Sequence, residues 1–152
     1  MPKVAMPELA MPELASTEVS TGVREIDTDI EGLSFLMSRI FDPLVECRRR
    51  NGECDRVQCA RIAAIRRYVQ RGFDRQDQLM ARADYPLAAD HTADHDALVA
   101  QLTAMGDAGI CGDRDRHVVR EAVLRWMLRH HGGCDRQLAN WAVTRRVLSP
   151  SS

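Results

Sequence analysis

Three histidines and one aspartate have the types and the spacing that metal binding requires. His91 and His95 lie four residues apart, so on a helix their rings share one face and reach the same point. His130 occupies an inward position on a later predicted helix, and Asp135 follows it by five residues. Three neutral imidazoles and a carboxylate that converge in an apolar core are costly without a cation between them. A lone inward histidine is more often a hydrogen-bonded core residue, and that interpretation stays open for each side chain.

The elements that must position these side chains are predicted to be helices. Apolar residues recur at steps of three and four over four stretches, while runs of the β-branched and aromatic residues typical of strands are absent. Short turns separate the four stretches, which predicts an all-α fold, an up-down-up-down four-helix bundle. The first predicted helix has its apolar stripe from Ile26 to Leu44 and ends in the charged segment at residues 48–52, where Asn-Gly is a stop signal. The others run from about Asp55 to Ala83, from Leu87 to Met105 and from Asp113 to Val147.

The first 22 residues differ from the rest of the chain. They contain the sequence MPELA twice in tandem, at residues 6–10 and 11–15, and then a stretch rich in Ser and Thr. A segment with three prolines and a five-residue repeat cannot build a core, so residues 1–22 are predicted to form a flexible N-terminal arm, through which a protein partner could be bound. Residues 23–147 are predicted to form the helical bundle.

Composition and charge exclude several classes of function. An apolar fraction of 45% and a charged fraction of 28% are typical of a soluble globular chain. A net charge of −1 argues against binding to nucleic acid or to an acidic membrane surface. The chain has no membrane-spanning stretch and no secretory signal, and its five cysteines contain no CxxC pair. We therefore expect a cytoplasmic protein that binds neither nucleic acid nor membrane.

The motifs around these residues resemble those of bacterial hemerythrins. The resemblance rests on the segment TGVREID at residues 21–27, on Tyr68-Val69 with Phe73, on Met80 and Tyr85-Pro86, on HxxxH at residues 91–95 and on WxxxHxxxxD at residues 126–135. It covers residues 21 to about 141. The resemblance implies a four-helix bundle with a non-haem di-iron centre that binds O2 reversibly through five histidines and two bridging carboxylates.

Three of the residues that this resemblance requires are missing. Ile30, Gly72 and Gln76 stand where the family has two histidines of one iron and a glutamate that bridges to it. The other iron's ligands match His91, His95, His130 and Asp135. The resemblance therefore implies that one half of the centre is lost, because an isoleucine, a glycine and a neutral amide cannot hold a second ion.

The remaining residues predict a mononuclear site beside a small pocket. Three nitrogens and one oxygen suit Fe(II) with open positions or Zn(II) in a closed tetrahedron, and one iron ion is favoured over zinc. The vacated half-site is expected to be an apolar cavity that admits O2, NO or a small organic molecule. The residues predicted to line this ligand pocket are Ile30, Gly72, Gln76, Trp126, Met127 and Gly133.

The function predicted from these residues is the binding or sensing of a small ligand such as O2 or NO. Two alternatives stay open: an O2-dependent mononuclear iron enzyme that uses the vacated half-site as its substrate pocket, and a metal-free interaction module. A further hypothesis is that Asp27, Asp29, Glu31 or Asp77 turns inward and rebuilds a site for a second ion. His117 and His131 are predicted to be surface residues, and Cys134, which points about 100° away from Asp135 on a regular helix, is not predicted as a ligand.

Overall fold

The protein is an all-helical bundle, as the hydrophobic periodicity predicts. The computed structural model describes residues 20–39, 49–50, 53–54, 60–108 and 113–151. The helices are α1 (Arg24–Arg39), α2 (Ala60–Arg82), α3 (Ala88–Ala108), α4 (Asp113–Arg129) and α5 (Arg136–Thr144), and a π-helical turn (His130–Asp135) joins α4 to α5. Two short strands, β1 (Arg49–Arg50) and β2 (Glu53–Cys54), pair antiparallel between α1 and α2.

The later helices follow the predicted stretches closely wherever the structure describes them. The first helix is predicted to end within residues 48–52, but residues 49–50 form β1, so the helix does not extend to them. Residues 40–48 and the predicted start of the second helix, at Asp55, lie outside the described residues. In the connection from α2 to α3, Asp84 has a φ of 49°, a left-handed conformation that Asp tolerates better than most residues. Pro86 follows Tyr85 and cannot continue α2. α1 packs on α2, α2 on α3, and α3 on α4, while the alternating direction of the helices stays a prediction.

The start of α1 is tied to the other end of the chain. Asp27 accepts hydrogen bonds from the Thr21 amide (2.8 Å), the Thr21 hydroxyl (2.8 Å) and the Ser20 hydroxyl (2.7 Å). The Ser151 amide donates to the Gly22 carbonyl at 2.7 Å. Residues 20–22, the last three of the predicted arm, are therefore held against the bundle, while residues 1–19 lie outside the described residues.

Two apolar clusters occupy the interior, one on either side of the predicted metal ligands. The first cluster contains the later part of α1, the first half of α2, the later part of α3 and all the buried apolar residues of α4. The second contains Val23, Ile26, the end of α2 and the buried residues of α5. On each helix the polar residues of interest fall between these two groups, for example Gln76 between Val69 and Leu79 on α2. The bundle therefore holds one buried polar layer between two apolar layers.

Among the helices formed by residues 24–39, 60–108 and 113–144, none is both long enough and apolar enough to span a membrane.

Candidate metal centre

The four predicted ligands lie together in the buried polar layer. His91 and His95 come from α3, and His130 and Asp135 come from the two ends of the π turn. One ligand atom from each residue lies within 4.8 Å of those from all the others. The residues are 3%, 2%, 1% and 4% exposed, respectively, so that water has almost no access to them. A buried cluster of this kind could hold a metal ion.

The π turn brings the last two ligands to the same side of their helix. In a regular α-helix, residues five apart are rotated by about 140° relative to each other. A π-helical turn closes i to i+5 hydrogen bonds instead, so five residues complete a little more than one turn. Asp135 Oδ1 consequently lies 2.9 Å from His130 Nε2. The histidine and the aspartate of the HxxxxD motif therefore face the same side because the helix widens locally into a π turn.

The distances between these atoms match a set of ligands around one ion. His95 Nε2 lies 3.0 Å from His130 Nε2, and Asp135 Oδ1 lies 3.3 Å from His91 Nε2. Ligands placed tetrahedrally at 2.0–2.1 Å from a metal would be separated by about 3.3 Å. Asp135 Oδ1 is buried, and neither of its close contacts to an imidazole has the geometry of a hydrogen bond. The residues present therefore fit a metal ion.

The charge states of the cluster favour cation binding. Burial, together with the neighbouring His130 and His91, lowers the pKa of His95 to about 3, so this imidazole is neutral and its lone pair is available. Burial tends to raise the pKa of Asp135, but interactions with the imidazoles of His130, His131 and His91 outweigh it and hold that pKa well below its usual range. The site thus combines an ionised carboxylate with a neutral nitrogen ligand.

A carboxylate outside the cluster orients one of the ligands. His130 Nδ1 lies 2.5 Å from Asp94 Oδ2, and Asp94 is also bonded to Arg129 at 3.1 Å. When His130 Nδ1 donates this hydrogen bond, Nε2 carries the lone pair that faces the other ligands. Despite burial, the bonds from His130 and Arg129 hold the pKa of Asp94 below its usual value. Asp94 was not among the predicted site residues, because its partner lies on another helix.

Aromatic side chains pack against the ligand rings. Phe73 stacks on His95 with ring centroids 3.7 Å apart, and Trp126 stacks on His130 at 4.3 Å. Both ring pairs are nearly parallel, with interplanar angles of 5° and 12°. These contacts restrict the rotation of the imidazoles and contribute to excluding water from the layer.

The prediction that His131 is a surface residue is wrong. Its side chain is buried, with the residue 1% exposed, and both of its ring nitrogens contact carboxylates. Nδ1 lies 2.8 Å from Asp135 Oδ2, and Nε2 lies 3.1 Å from Asp27 Oδ1. The side chain is covered by Asp27 at the start of α1, and the periodicity of residues 113–147 gives no sign of that contact. His117, the other histidine predicted at the surface, is exposed.

A small cavity lies beside the ligand cluster and is lined by residues of α1 and α2. Its volume is about 30 Å³, and Gln76 and Asp135 supply polar atoms to its wall. Gln76 Oε1 is 2.7 Å from His91 Nε2, so the amide faces the ligand cluster. The residues that line the cavity are Ile26, Asp29, Ile30, Leu33, Tyr68, Val69, Gly72, Phe73, Gln76, Trp126 and Asp135.

Two of the residues predicted for the ligand pocket lie elsewhere. Met127 is fully buried in the first apolar cluster and does not line the cavity. Gly133 is exposed, and a Cβ atom added to it would meet nothing within 4 Å. The π turn rotates the residues that follow His130, which applies to Gly133. Met127 precedes this turn and points from α4 into the first apolar cluster instead.

Cys134 lies next to the cluster without belonging to it. Its thiol, His130 and Asp94 form a second group of three ligand-type residues on the outer side of His130. Burial and the nearby carboxylates of Asp94 and Asp135 raise the pKa of Cys134, which keeps it a thiol.

The acidic residues that could have rebuilt a second site have other partners or lie at the surface. Asp29 lines the cavity, but it is ion-paired with Arg75. Asp27 is bound to residues 20 and 21 and to His131. Asp77 accepts a hydrogen bond from Thr92 at 3.1 Å, and Glu31 is exposed. Within the described residues, both groups that could hold an ion contain His130, and none lies on the α1 side of the cavity.

Comparisons with models of protein families, with curated proteins and with solved structures find no match to this chain. The fold and the geometry therefore define a helical bundle with a buried His/Asp cluster that could hold a metal ion.

Proposed function

We propose that this protein is a hemerythrin-like metal protein that binds one iron ion through His91, His95, His130 and Asp135 and uses it to bind or sense O2 or NO. One observation carries the proposal: four buried ligand atoms converge, and the carboxylate oxygen among them has no hydrogen-bond donor. A cation at this point would interact with Asp135 Oδ1, while His131 continues to contact the other oxygen of the carboxylate.

The proposal of one ion rather than two rests on the α1 side of the cavity. Ile30 and Gly72 offer no ligand atom there, and the Asp29 carboxylate is neutralised by Arg75. Gln76 contributes only a neutral amide oxygen. A bound Fe(II) would supply open coordination positions and an electron, whereas zinc would supply only a closed tetrahedral site.

The choice of a diatomic ligand rests on the size of the cavity. About 30 Å³ adjoins Asp135 and Gln76, next to the ligand cluster. About 10–15 Å³ of such cavity volume is enough for one water molecule, so a diatomic ligand fits. The O2-dependent enzyme that holds its substrate in the same cavity stays the alternative.

Metal content tests the proposal. The chain is purified without chelator, reconstituted anaerobically with Fe(II), and analysed for metal per chain. We expect about one iron per wild-type chain, and almost none in His95→Ala, because a three-ligand site in this pocket leaves the ion undercoordinated. His117→Ala, which removes an exposed histidine from the same bundle, is the matched control and should retain the wild-type content.

Two results would contradict the proposal. Two irons per chain would show that the α1 side supplies ligands after all, and O2 carriage by a di-iron centre would follow. If the well-folded wild-type chain bound no metal, the alternative of a metal-free interaction module would be favoured.

The ligand is tested separately with NO and the Fe(II)-loaded protein. We expect an EPR signal from bound NO, and slower binding in Gly72→Ala, because the added methyl group narrows the cavity. A Cβ atom at position 72 would be 3.5 Å from the Asp29 carboxylate, an ordinary contact, so the variant should fold. Equal NO binding rates in the two proteins would show that the ligand does not reach the metal through this cavity.

A further inference from the structure

A chain of three side chains links the N-terminal segment to the ligand cluster. Asp27, at the start of α1, contacts His131 Nε2, and His131 Nδ1 contacts Asp135 Oδ2. The other oxygen of Asp135 faces His91 and His130. One oxygen of the Asp135 carboxylate therefore faces the ligand cluster, and the other contacts the buried His131.

Each member of this chain is held in one orientation. Asp27 Oδ1 accepts bonds from the Thr21 amide and hydroxyl, and its Oδ2 accepts a bond from the Ser20 hydroxyl. The His131 ring is buried between the two carboxylates and has no nitrogen left to bond elsewhere. Asp135 is attached to the π turn, whose backbone bonds set its position. Rotation of the Asp135 carboxylate would break its contact with His131.

We propose that His131 and Asp27 are positioning residues that direct Asp135 Oδ1 into the metal centre. This inference rests on the proposed function, because it assigns these residues to the same site. His131 occupies one oxygen of Asp135 and leaves the other as a ligand, so the carboxylate binds through one oxygen only. Outer partners that orient ligands commonly contribute 10- to 100-fold to metal affinity.

The placement of the chain argues against simple core packing. A buried imidazole between two carboxylates lies in a layer where apolar residues of the same volume would avoid the cost of desolvating charges. His131 has one partner one helical turn away, Asp135, which belongs to the ligand set, and one partner 104 residues away, Asp27, which binds residues 20 and 21. The same histidine therefore connects ligand geometry to the docking of residues 20–22.

The test compares variants at position 131 using Co(II) as the metal probe. Affinity is measured by competition with a chromophoric chelator, and the visible Co(II) bands report the ligand geometry. We expect His131→Ala to bind Co(II) about 10- to 100-fold more weakly and with altered bands. His131→Asn should recover most of the affinity, because its amide nitrogen replaces Nδ1 as the donor to Asp135. His117→Ala should bind as wild type.

A second variant keeps the test decisive if His131→Ala does not fold. Asp27→Asn preserves size and acceptor geometry but removes the charge that holds His131, and we expect a weakening of less than about tenfold together with altered Co(II) bands. In the wild type, Co(II) should also slow hydrogen exchange of the Thr21 amide, and in Asp27→Asn this effect should decrease.

The possible failures are distinguishable. If the wild type binds Co(II) through His95 but His131→Asn, His131→Ala and Asp27→Asn have unchanged affinities and bands, this inference is overturned and the proposed function stands. If the wild type binds no Co(II), the proposed function itself is overturned.

Discussion

The orientation of a side chain in the buried layer is fixed by its partners, some of which lie on other helices. His130 Nδ1 is hydrogen-bonded to Asp94, and the ring stacks on Trp126. Its Nε2 faces His95 and Asp135. This arrangement leaves one orientation for the imidazole, so the lone pair that could bind a metal is positioned before any ion arrives. The Asp94 carboxylate is the partner whose loss would change this orientation most directly.

We expect Asp94→Asn to lower the affinity for Zn(II) or Fe(II) by about 10- to 100-fold while the helical content stays unchanged. The amide is a poorer acceptor than the carboxylate and can also present its NH2 group to His130, which would favour the wrong tautomer. Metal affinity is measured by chelator competition. Asp96→Asn, at an exposed position two residues further along α3, is the control, and equal losses in the two variants would contradict the role of Asp94.

At the scale of the helices, α1 and α2 are in tight contact at Gly32. A Cβ atom added to Gly32 would overlap the hydroxyl group of Tyr68, and that hydroxyl donates to the Thr28 carbonyl at 3.4 Å. Gly32 therefore allows the Tyr68 ring to lie directly on the α1 backbone. The glycines of the π turn differ, because a Cβ atom at Gly132 or Gly133 would meet nothing within 4 Å.

We expect Gly32→Ala to destabilise the protein by about 1–3 kcal/mol, since the Tyr68 ring or the α1 backbone must move to accommodate the methyl group. Gly133→Ala should leave the free energy of unfolding unchanged or raise it by up to about 1 kcal/mol, because alanine favours helix and meets no neighbour. Urea denaturation measures both variants. A loss in Gly133→Ala as large as that in Gly32→Ala would mean that the π turn itself requires glycine.

Helix boundaries and helix faces were largely predictable from the sequence, but the π turn was not. The steps of three and four that indicate a helix continue through residues 113–147, so the stretch was predicted as one regular helix. The change to a wider turn shifts the direction of every side chain after His130. This shift accounts for the position of Gly133 outside the cavity, whereas the burial of His131 comes from its contact with Asp27 on α1.

In the described part of the molecule, a buried polar layer lies between two apolar clusters. α1 and α2 contribute to both clusters, while α4 contributes to the first and α5 to the second. Ligands from two helices meet in this layer, so an ion bound there would hold α3 to the π turn. Binding to the folded state and not to the unfolded chain raises the free energy of unfolding.

We expect Zn(II) at 100 times its dissociation constant to stabilise the protein by about 2.7 kcal/mol. For a chain of 152 residues this corresponds to a rise in Tm of roughly 5–10 °C. Thermal unfolding is followed by circular dichroism with added Zn(II) and again with excess chelator. The Tm of His95→Ala should respond little to either addition, and a wild-type Tm that is equally insensitive would contradict metal binding by the folded protein.

The sequence by itself determined the properties that depend on neighbours along the chain. Helical periodicity, the turn at Pro86 and the pairing of His91 with His95 on one face all act over a few residues, and the composition limits the class of protein. Tertiary structure alone decided which groups surround the site. The contact of His130 with Asp94 spans 36 residues, and that of His131 with Asp27 spans 104. Such contacts depend on how helices pack and on the local helix type, and neither leaves a periodic signal in the sequence.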